Sequence, residues 1–335
     1  MLRDQLGREI KDLRISVTDR CNFRCSYCMP FDHYEWIERK EILSFEEIVR
    51  VAAVFIRLGV EKIRLTGGEP LMRRDLHVLV SRLSPLPGLR DLCLTTNGSL
   101  LAKAAPELAR AGLKRVNVSL DTLKEERFRQ LSGRADLSKV LEGLYVARDC
   151  GFTPIKINAV IQRDINDDEI VELAEFARRN GFGIRFIEFM DVGNVNNWSA
   201  EKTVSKKEIL ERIRARIPLV EAMAERGSTP AMDYRFADGS GDVGIIASVT
   251  EPFCGNCTRA RITADGRLVT CLFSDWGEHL KSLLRDGADD EVLARFISSV
   301  WERRSDRYSE QRVEILKAGT GAESRKKIEM ISLGG

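Results

Sequence analysis

Between residues 13 and 190, six short runs rich in Val, Ile, Leu or Phe alternate with longer amphipathic segments, and no other feature restricts the fold of this chain as much. The runs are LRISVTD, KIRLTGG, LCLTTNG, VNVSLD, IKINAVI and IRFIEFM. The intervening segments read as helices. In SFEEIVRVAAVFIRLG, at 44 to 59, Ser44 and Glu47 form a capping box and Gly59 is a stop signal. Three further segments, NGSLLAKAAPELARAG, ADLSKVLEGLYVARDCG and NDDEIVELAEFARRNG, also close on glycine. Regular alternation of this kind predicts parallel strands joined by right-handed crossover helices. Six units fall short of the eight that close a barrel, so the expected fold is α/β, a partial (βα)6 TIM-type barrel. Function should gather at the C-terminal ends of the strands, where Cys21, Cys25 and Cys28, TGGEP at 66 to 70, TTNG at 95 to 98 and SLD at 119 to 121 all fall.

Polar residues inside these runs sharpen the expectation. Lys156 and Asn158 share one face of IKINAVI, with Ile155, Ile157 and Ala159 on the other. A central strand under helices has no solvated outer face, so such a lysine must point into the lumen and meet an anion. Arg14 and Arg64 pose the same requirement. Three cations aimed into one cavity suggest a polyanion such as a phosphate chain. After about residue 195 the pattern changes to a loop, a helix, antiparallel strands over 233 to 273 with turns at DGSG and ADGR, and helix again over 277 to 318. The expected division is residues 1–200 for the barrel and 201–335 for a C-terminal α+β domain with a tail of mobile composition.

The cysteines fall as two sets of three, with Cys93 and Cys150 alone as small buried residues. For Cys21, Cys25 and Cys28 three readings stand side by side: a zinc site with His33 as fourth ligand, an adventitious thiol cluster, or an iron–sulfur cluster with one iron open to a further ligand. The Cys-x3-Cys-x2-Cys spacing directly after the first strand, with Tyr27 before the third cysteine, resembles the radical S-adenosylmethionine superfamily. TGGEP resembles that superfamily's glycine-glycine-glutamate segment, whose backbone is expected to bind the cofactor's amino group. Cys254, Cys257 and Cys271 again lack a fourth partner unless His279 or an outside ligand serves, and the repeated omission favours a second open cluster. Between them, Arg259 and Arg261 alternate onto one strand face.

Across nearly the whole chain, from RISVTDRCNFRCSYCMP through IRLTGGEPL, LTTNG, VSLDTL, KINAV and RFIEFMD to CGNCTRARITADGRLVTCLF and Gly334-Gly335, the sequence resembles the branch of that superfamily that cyclises GTP in molybdenum cofactor biosynthesis. The resemblance implies a lyase with two 4Fe-4S clusters and S-adenosylmethionine as cofactors. Cys21, Cys25 and Cys28 would hold the cofactor-cleaving cluster, with Tyr27, Gly68, Ser119 and Met190 near S-adenosylmethionine. Cys254, Cys257 and Cys271 would hold the second cluster, whose open iron is expected to contact guanine. Arg14, Arg64, Thr95, Lys156, Arg259, Ala260 and Arg261 would bind GTP. A 5'-deoxyadenosyl radical would take the hydrogen from C3' of the ribose, and the carbon radical would add to C8. The terminal glycine pair is expected to reach back into the site.

The alternatives are a radical S-adenosylmethionine peptide-modifying enzyme with an auxiliary cluster, and a non-enzymatic zinc or iron–sulfur binding module. The first would usually carry more C-terminal cysteines; the second leaves TGGEP and the lumenal cations unexplained. A net charge of +2 argues against a nucleic-acid surface but allows a focused anion pocket. The charge-interrupted N-terminus reads as neither signal peptide nor membrane anchor, so a cytoplasmic chain is expected. The expected partners are GTP, S-adenosylmethionine, a reducing electron donor, the next pathway enzyme (cyclic pyranopterin monophosphate synthase) and a second copy in a homodimer, with no nucleic acid and no membrane.

Overall fold

The structure, a computed structural model, describes residues 2–134, 136–222, 231–318 and 326–334, the side chains of 315–318 aside. Gly335 and residues 319–325 of the tail expected to be mobile lie outside them. The six expected strands form as β1 (Asp12–Ser16), β2 (Lys62–Thr66), β3 (Asp91–Thr96), β4 (Arg115–Ser119), β5 (Ile155–Ile161) and β6 (Gly183–Glu188). They lie in sequence order and are parallel throughout. Helices α1 (Phe45–Arg57), α2 (Leu76–Leu83), α3 (Leu101–Arg110), α4 (Glu125–Ser132), α5 (Leu137–Asp149) and α6 (Ile170–Asn180) return the chain between them.

Local sequence accounts for these elements. Ser44 Oγ accepts from the Glu47 amide and the Glu47 carboxylate accepts from the Ser44 amide, so the α1 capping box is complete. The helix then buries Ile48, Val51, Val54 and Phe55 against the sheet. Phe55 is fully buried, so Phe55→Ala is expected to cost about 3–5 kcal/mol. A lowered denaturant midpoint at unchanged slope in urea unfolding would register it.

The later strands are β7 (Leu219–Glu221), β8 (Met232–Phe236), β9 (Asp242–Ile246), β10 (Arg259–Ile262), β11 (Arg267–Val269) and β12 (Glu278–His279). The expected antiparallel pairs are present, β8 with β9 and β10 with β11. Their placement is not what the turn signals alone suggest. β9 adds to β6 and β10 adds to β1, both parallel, giving one twelve-stranded sheet in which eight neighbouring strands are parallel. Among the described residues β9 and β10 do not pair with each other, so the barrel stays open along one side. Because both strands run with the barrel, residues 247–258 must pass from the C-terminal end of one edge to the N-terminal end of the other. That crossing carries Cys254 and Cys257 over the open side. The remaining helices are α7 (Lys206–Arg214), α8 (Leu280–Arg285), α9 (Asp290–Glu302), α10 (Tyr308–Ala318) and α11 (Met330–Leu333).

The strand period separates core from lumen. Leu13, Ile63, Leu94, Val116, Ile157 and Ile184 face the helices and are buried. On the other face the register aligns Arg261, Arg14, Arg64, Cys93 and Arg115 as one row across β10, β1, β2, β3 and β4. Toward the C-terminal ends, Ser119, Asn158 and Arg185 align as another. β5 alternates buried and half-buried residues, as the IKINAVI pattern requires.

Candidate active site

A cavity of about 1300 Å³, its open mouth included, occupies the lumen and the open side of the barrel. Its wall includes Arg14, Arg64, Arg259 and Arg261, all three cysteines of the second triad, Tyr27 and Met190. The first triad sits at the C-terminal ends of the strands, on the loop after β1. The cavity wall thus holds the whole second triad and, from the loop of the first, Tyr27 alone.

The first triad is shaped by close backbone packing. A Cβ on Gly67 would stand 2.3 Å from the Thr18 carbonyl oxygen, and one on Gly68 2.4 Å from that of Arg20. Only glycine lets the loop after β2 lie against the chain that leads into Cys21. Gly67 also has φ +143°, open to glycine alone. Glu69 is fully buried and ties this loop to β3, accepting from Thr96 Oγ1 (2.7 Å), the Asn97 amide (2.7 Å) and the Leu71 amide (3.0 Å). Burial raises its carboxyl to about 7. Tyr27 donates to Asp121 Oδ2 (2.7 Å), and Asp121 Oδ1 accepts from the Val160 amide (2.8 Å). The tyrosine on the cavity wall is thus fixed from β4 and β5.

Burial pushes the Cys21 thiol up to about 11 and, with the neighbouring Cys21, the Cys28 thiol to about 12. Cys25 rises well above its ordinary value through burial and the two other sulfurs. Left to themselves these buried thiols stay neutral, and they would become thiolates only around a cationic metal group. Among the described residues no three Cys, His, Asp or Glu side chains converge on one ion. His33 and His279, the fourth ligands a zinc site would need, are both exposed. The donor set fits an iron–sulfur cluster, in which the thiolates bind different irons.

Around the second triad the electrostatics are different. Burial raises the Cys257 thiol, but Arg259 and Arg304 outweigh it and bring the group down to about 6. Arg259 Nη2 lies 3.3 Å from the sulfur. Burial, then Asp306, pushes Cys271 up to about 12. The backbone is braced as well: Arg8 donates to the Cys254 carbonyl (2.8 Å) and Arg304 to that of Cys257 (2.7 Å), and both share the Asp4 carboxylate. Sequence reasoning missed Arg8, Arg304 and Asp4, which carry no motif and lie far from the cysteines along the chain.

The lumenal cations lack protein partners at several atoms. Arg14 Nε, Arg64 Nε, Arg185 Nε, Thr95 Oγ1 and Asn158 Oδ1 are buried without a hydrogen bond. Burial and then Arg261, Arg64 and Arg259 lower Arg14 well below its ordinary value. Burial and then Arg259 bring Arg261 to about 10. Native interiors rarely leave so many polar atoms unpaired, and here Arg14, Arg64, Arg185 and Asn158 all line the cavity. Arg185 and Asn158 line the cavity but stood outside the expected site. Arg185 carries the same signal as Lys156, a charge inside a central strand.

Not every expected residue reaches the wall. Lys156 lies deeper in the lumen, aligned with Asn117 in the row that contains Thr95. Ala260 is fully buried and aligns with Leu13 on the helix-facing side, which leaves only its backbone for a ligand. Ser119 ends β4 beside Asn158. The tail does return: Arg261 Nη1 donates to the Gly334 carbonyl (3.1 Å) and Ser16 Oγ to that of Ser332 (2.9 Å). Gly334 has φ +66°, and a Cβ there would meet Thr66 at 2.2 Å.

Residues 15–177 match the family described as Radical SAM superfamily, and residues 182–310 match Molybdenum Cofactor Synthesis C. The chain is similar to a GTP 3',8-cyclase of Acidothermus cellulolyticus, 52% identical over 93% of this chain and 88% of that one. It is 45% identical to one of Xanthomonas axonopodis pv. citri, over 100% of this chain and 99% of the relative. A Staphylococcus aureus GTP 3',8-cyclase is 44% identical over 100% and 99%. In fold, it is similar to Streptococcus suis SuiB bound to S-adenosylmethionine, with a TM-score of 0.63 at 17% identity over 87% of this chain and 68% of that one.

Proposed function

The chain belongs to the GTP 3',8-cyclase family of the radical S-adenosylmethionine superfamily, and from that premise we propose how its residues bind and cyclise GTP. The activity is the conversion of GTP to (8S)-3',8-cyclo-7,8-dihydroguanosine 5'-triphosphate in molybdenum cofactor biosynthesis, with two 4Fe-4S clusters and S-adenosylmethionine. Cys21, Cys25 and Cys28 would hold the cluster that receives S-adenosylmethionine, and Cys254, Cys257 and Cys271 the second. When bound, the first cluster and S-adenosylmethionine supply hydrogen-atom abstraction, a one-electron chemistry no side chain here provides.

The chain's own residues bind, orient and exclude water. Arg14, Arg64 and Arg261 form a cationic row suited to a triphosphate, with Lys156, Thr95 and the 259–261 backbone adding contacts and Arg185 aligned toward the mouth. Tyr27, Gly68, Ser119 and Met190 serve the cofactor. A hydrogen atom leaves rather than a proton, so no general base is required and position outweighs pKa. The single observation that carries this reading is the row of arginines, with Arg14 and Arg64 each unpaired at a buried Nε, facing a cavity that the second triad also lines.

The test is incubation of the reconstituted, reduced protein with S-adenosylmethionine and GTP. It should yield 5'-deoxyadenosine and a cyclised nucleotide; cofactor cleavage independent of GTP with no cyclised product would overturn the reading. Arg259→Ala should weaken GTP turnover with iron content intact. Loss of the second cluster instead would assign Arg259 to holding Cys257.

Among the described residues no helix is long and apolar enough to cross a membrane. A cytoplasmic location, a reducing electron donor, a homodimer, a division near residue 200 and delivery of product to cyclic pyranopterin monophosphate synthase belong to the same proposal.

A further inference from the structure

Asp191 directly follows Met190 at the end of the sixth β/α unit, yet the cavity wall does not include it. Its carboxylate instead receives three donors from the C-terminal region: the Tyr308 hydroxyl, Arg312 Nη1 and Lys327 Nζ, the last at 2.7 Å. Lys327 Nζ also donates to the Asp191 carbonyl at 2.6 Å. The lysine side chain is only 9% exposed and lies 4.7 Å from the Tyr308 ring centre and 5.6 Å from that of Phe273. Arg312 packs over Phe273 and Trp198 on the other side. Two cations thus share one carboxylate inside an aromatic box.

The backbone repeats the connection. Asn194 Nδ2 donates to the Lys327 carbonyl (2.7 Å), the Lys327 amide donates to Asn194 Oδ1 (2.8 Å), and the Ile328 amide donates to the Ser274 carbonyl (2.8 Å). Phe273 stacks on Tyr308 at 4.6 Å and stands two residues after Cys271. One buried cluster therefore joins three pieces of the site: the loop that bears Met190, the segment that bears Cys271, and the tail whose Gly334 meets Arg261.

We propose that Asp191 and Lys327 form a latch that sets how deep the tail enters the lumen, making both positioning residues for the cyclisation. The proposal rests on the functional reading above. Between Lys327 and Gly334 lie only six residues, four of them in α11, so the distance over which position could be lost is short. Without the latch the tail's carbonyls leave Arg261, and the guanidinium row meets substrate without its outer wall.

The experiment compares reconstituted holoenzyme carrying Lys327→Gln, Lys327→Arg or Asp191→Asn with the parent. Lys327→Gln is expected to speed amide exchange at Ile328 and Gly334 at least tenfold, leaving β1 to β6 unchanged, and to lower kcat at least tenfold with little change in KM for S-adenosylmethionine. Lys327→Arg, which keeps the charge, should restore most of both. Asp191→Asn should behave as Lys327→Gln if it folds; Lys327→Gln, at the end of the chain, stands as the test if it does not. Unchanged tail exchange, exchange raised equally in the barrel strands, or normal kcat despite a loosened tail would each overturn the latch. A parent that makes no cyclised nucleotide would instead sink the functional reading, and the exchange measurements would still decide the latch.

Discussion

Arg14→Met is expected to lower kcat/KM for GTP about a hundredfold while making the metal-free protein more stable. Arg14 is 8% exposed, sits between Arg261 and Arg64 in the sheet register, and keeps a buried Nε without a partner. Its charge is opposed first by burial and then by three neighbouring arginines. An anion is what this arrangement lacks, and removing one member of a buried charged contact costs about 2–5 kcal/mol of binding. With no anion bound, the methionine relieves desolvation and repulsion together, so unfolding should require about 1–3 kcal/mol more. Steady-state kinetics and denaturant unfolding of the same variant check both signs. A variant that loses stability as well as turnover would show that Arg14 supports the sheet rather than the ligand.

Gly68→Ala should remove the first cluster while sparing the second. The added Cβ would lie 2.4 Å from the Arg20 carbonyl oxygen, 2.6 Å from its carbon and 2.7 Å from the Asp19 carbonyl oxygen. These are backbone atoms that no rotamer change can clear, so the loop into Cys21 must shift. Overpacking of this kind costs about 1–3 kcal/mol, and here the strain falls on the ligand loop. Iron and sulfide content should drop by roughly half on the one-cluster-per-triad assignment. S-adenosylmethionine binding should be lost, and the electron paramagnetic resonance signal of the second cluster should persist. Full iron content with normal cofactor affinity would show that the 18–20 loop tolerates displacement.

The six barrel strands and their helices were legible because a strand covered on both faces must be apolar where it meets helices, and because Ser44 and Glu47 mark a helix start by local chemistry. Arg14 and Arg64 were legible by the converse argument, as charges in strands with no solvated face. The pairing of β9 with β6 and of β10 with β1 was not legible. DGSG and ADGR report only the hairpins they close, and no local residue records which distant edge a hairpin joins. The brace on the second triad was hidden for the same reason, since Arg8 and Arg304 act through carbonyls of residues 246 and 47 positions away. Ala260 entered the expected site with its neighbours Arg259 and Arg261, although strand alternation turns its side chain to the core. The return of the tail was an expectation of family resemblance. What makes it physical is Gly334 at positive φ against Thr66.

The order in which the sheet is completed has a consequence for the making of the molecule. Asp12 of β1 pairs with Arg259 of β10 and Ile15 with Ile262, so one edge of the first strand has no partner until residue 262 has been made. At about 5–20 residues per second, a nascent chain would hold that edge bare for roughly 10–50 s. Unpaired edges flanked by apolar rows are templates for pairing with other chains. Yield in the cell should therefore depend on holdase chaperones and on translation speed across the second half of the chain more than on the stability of the finished fold.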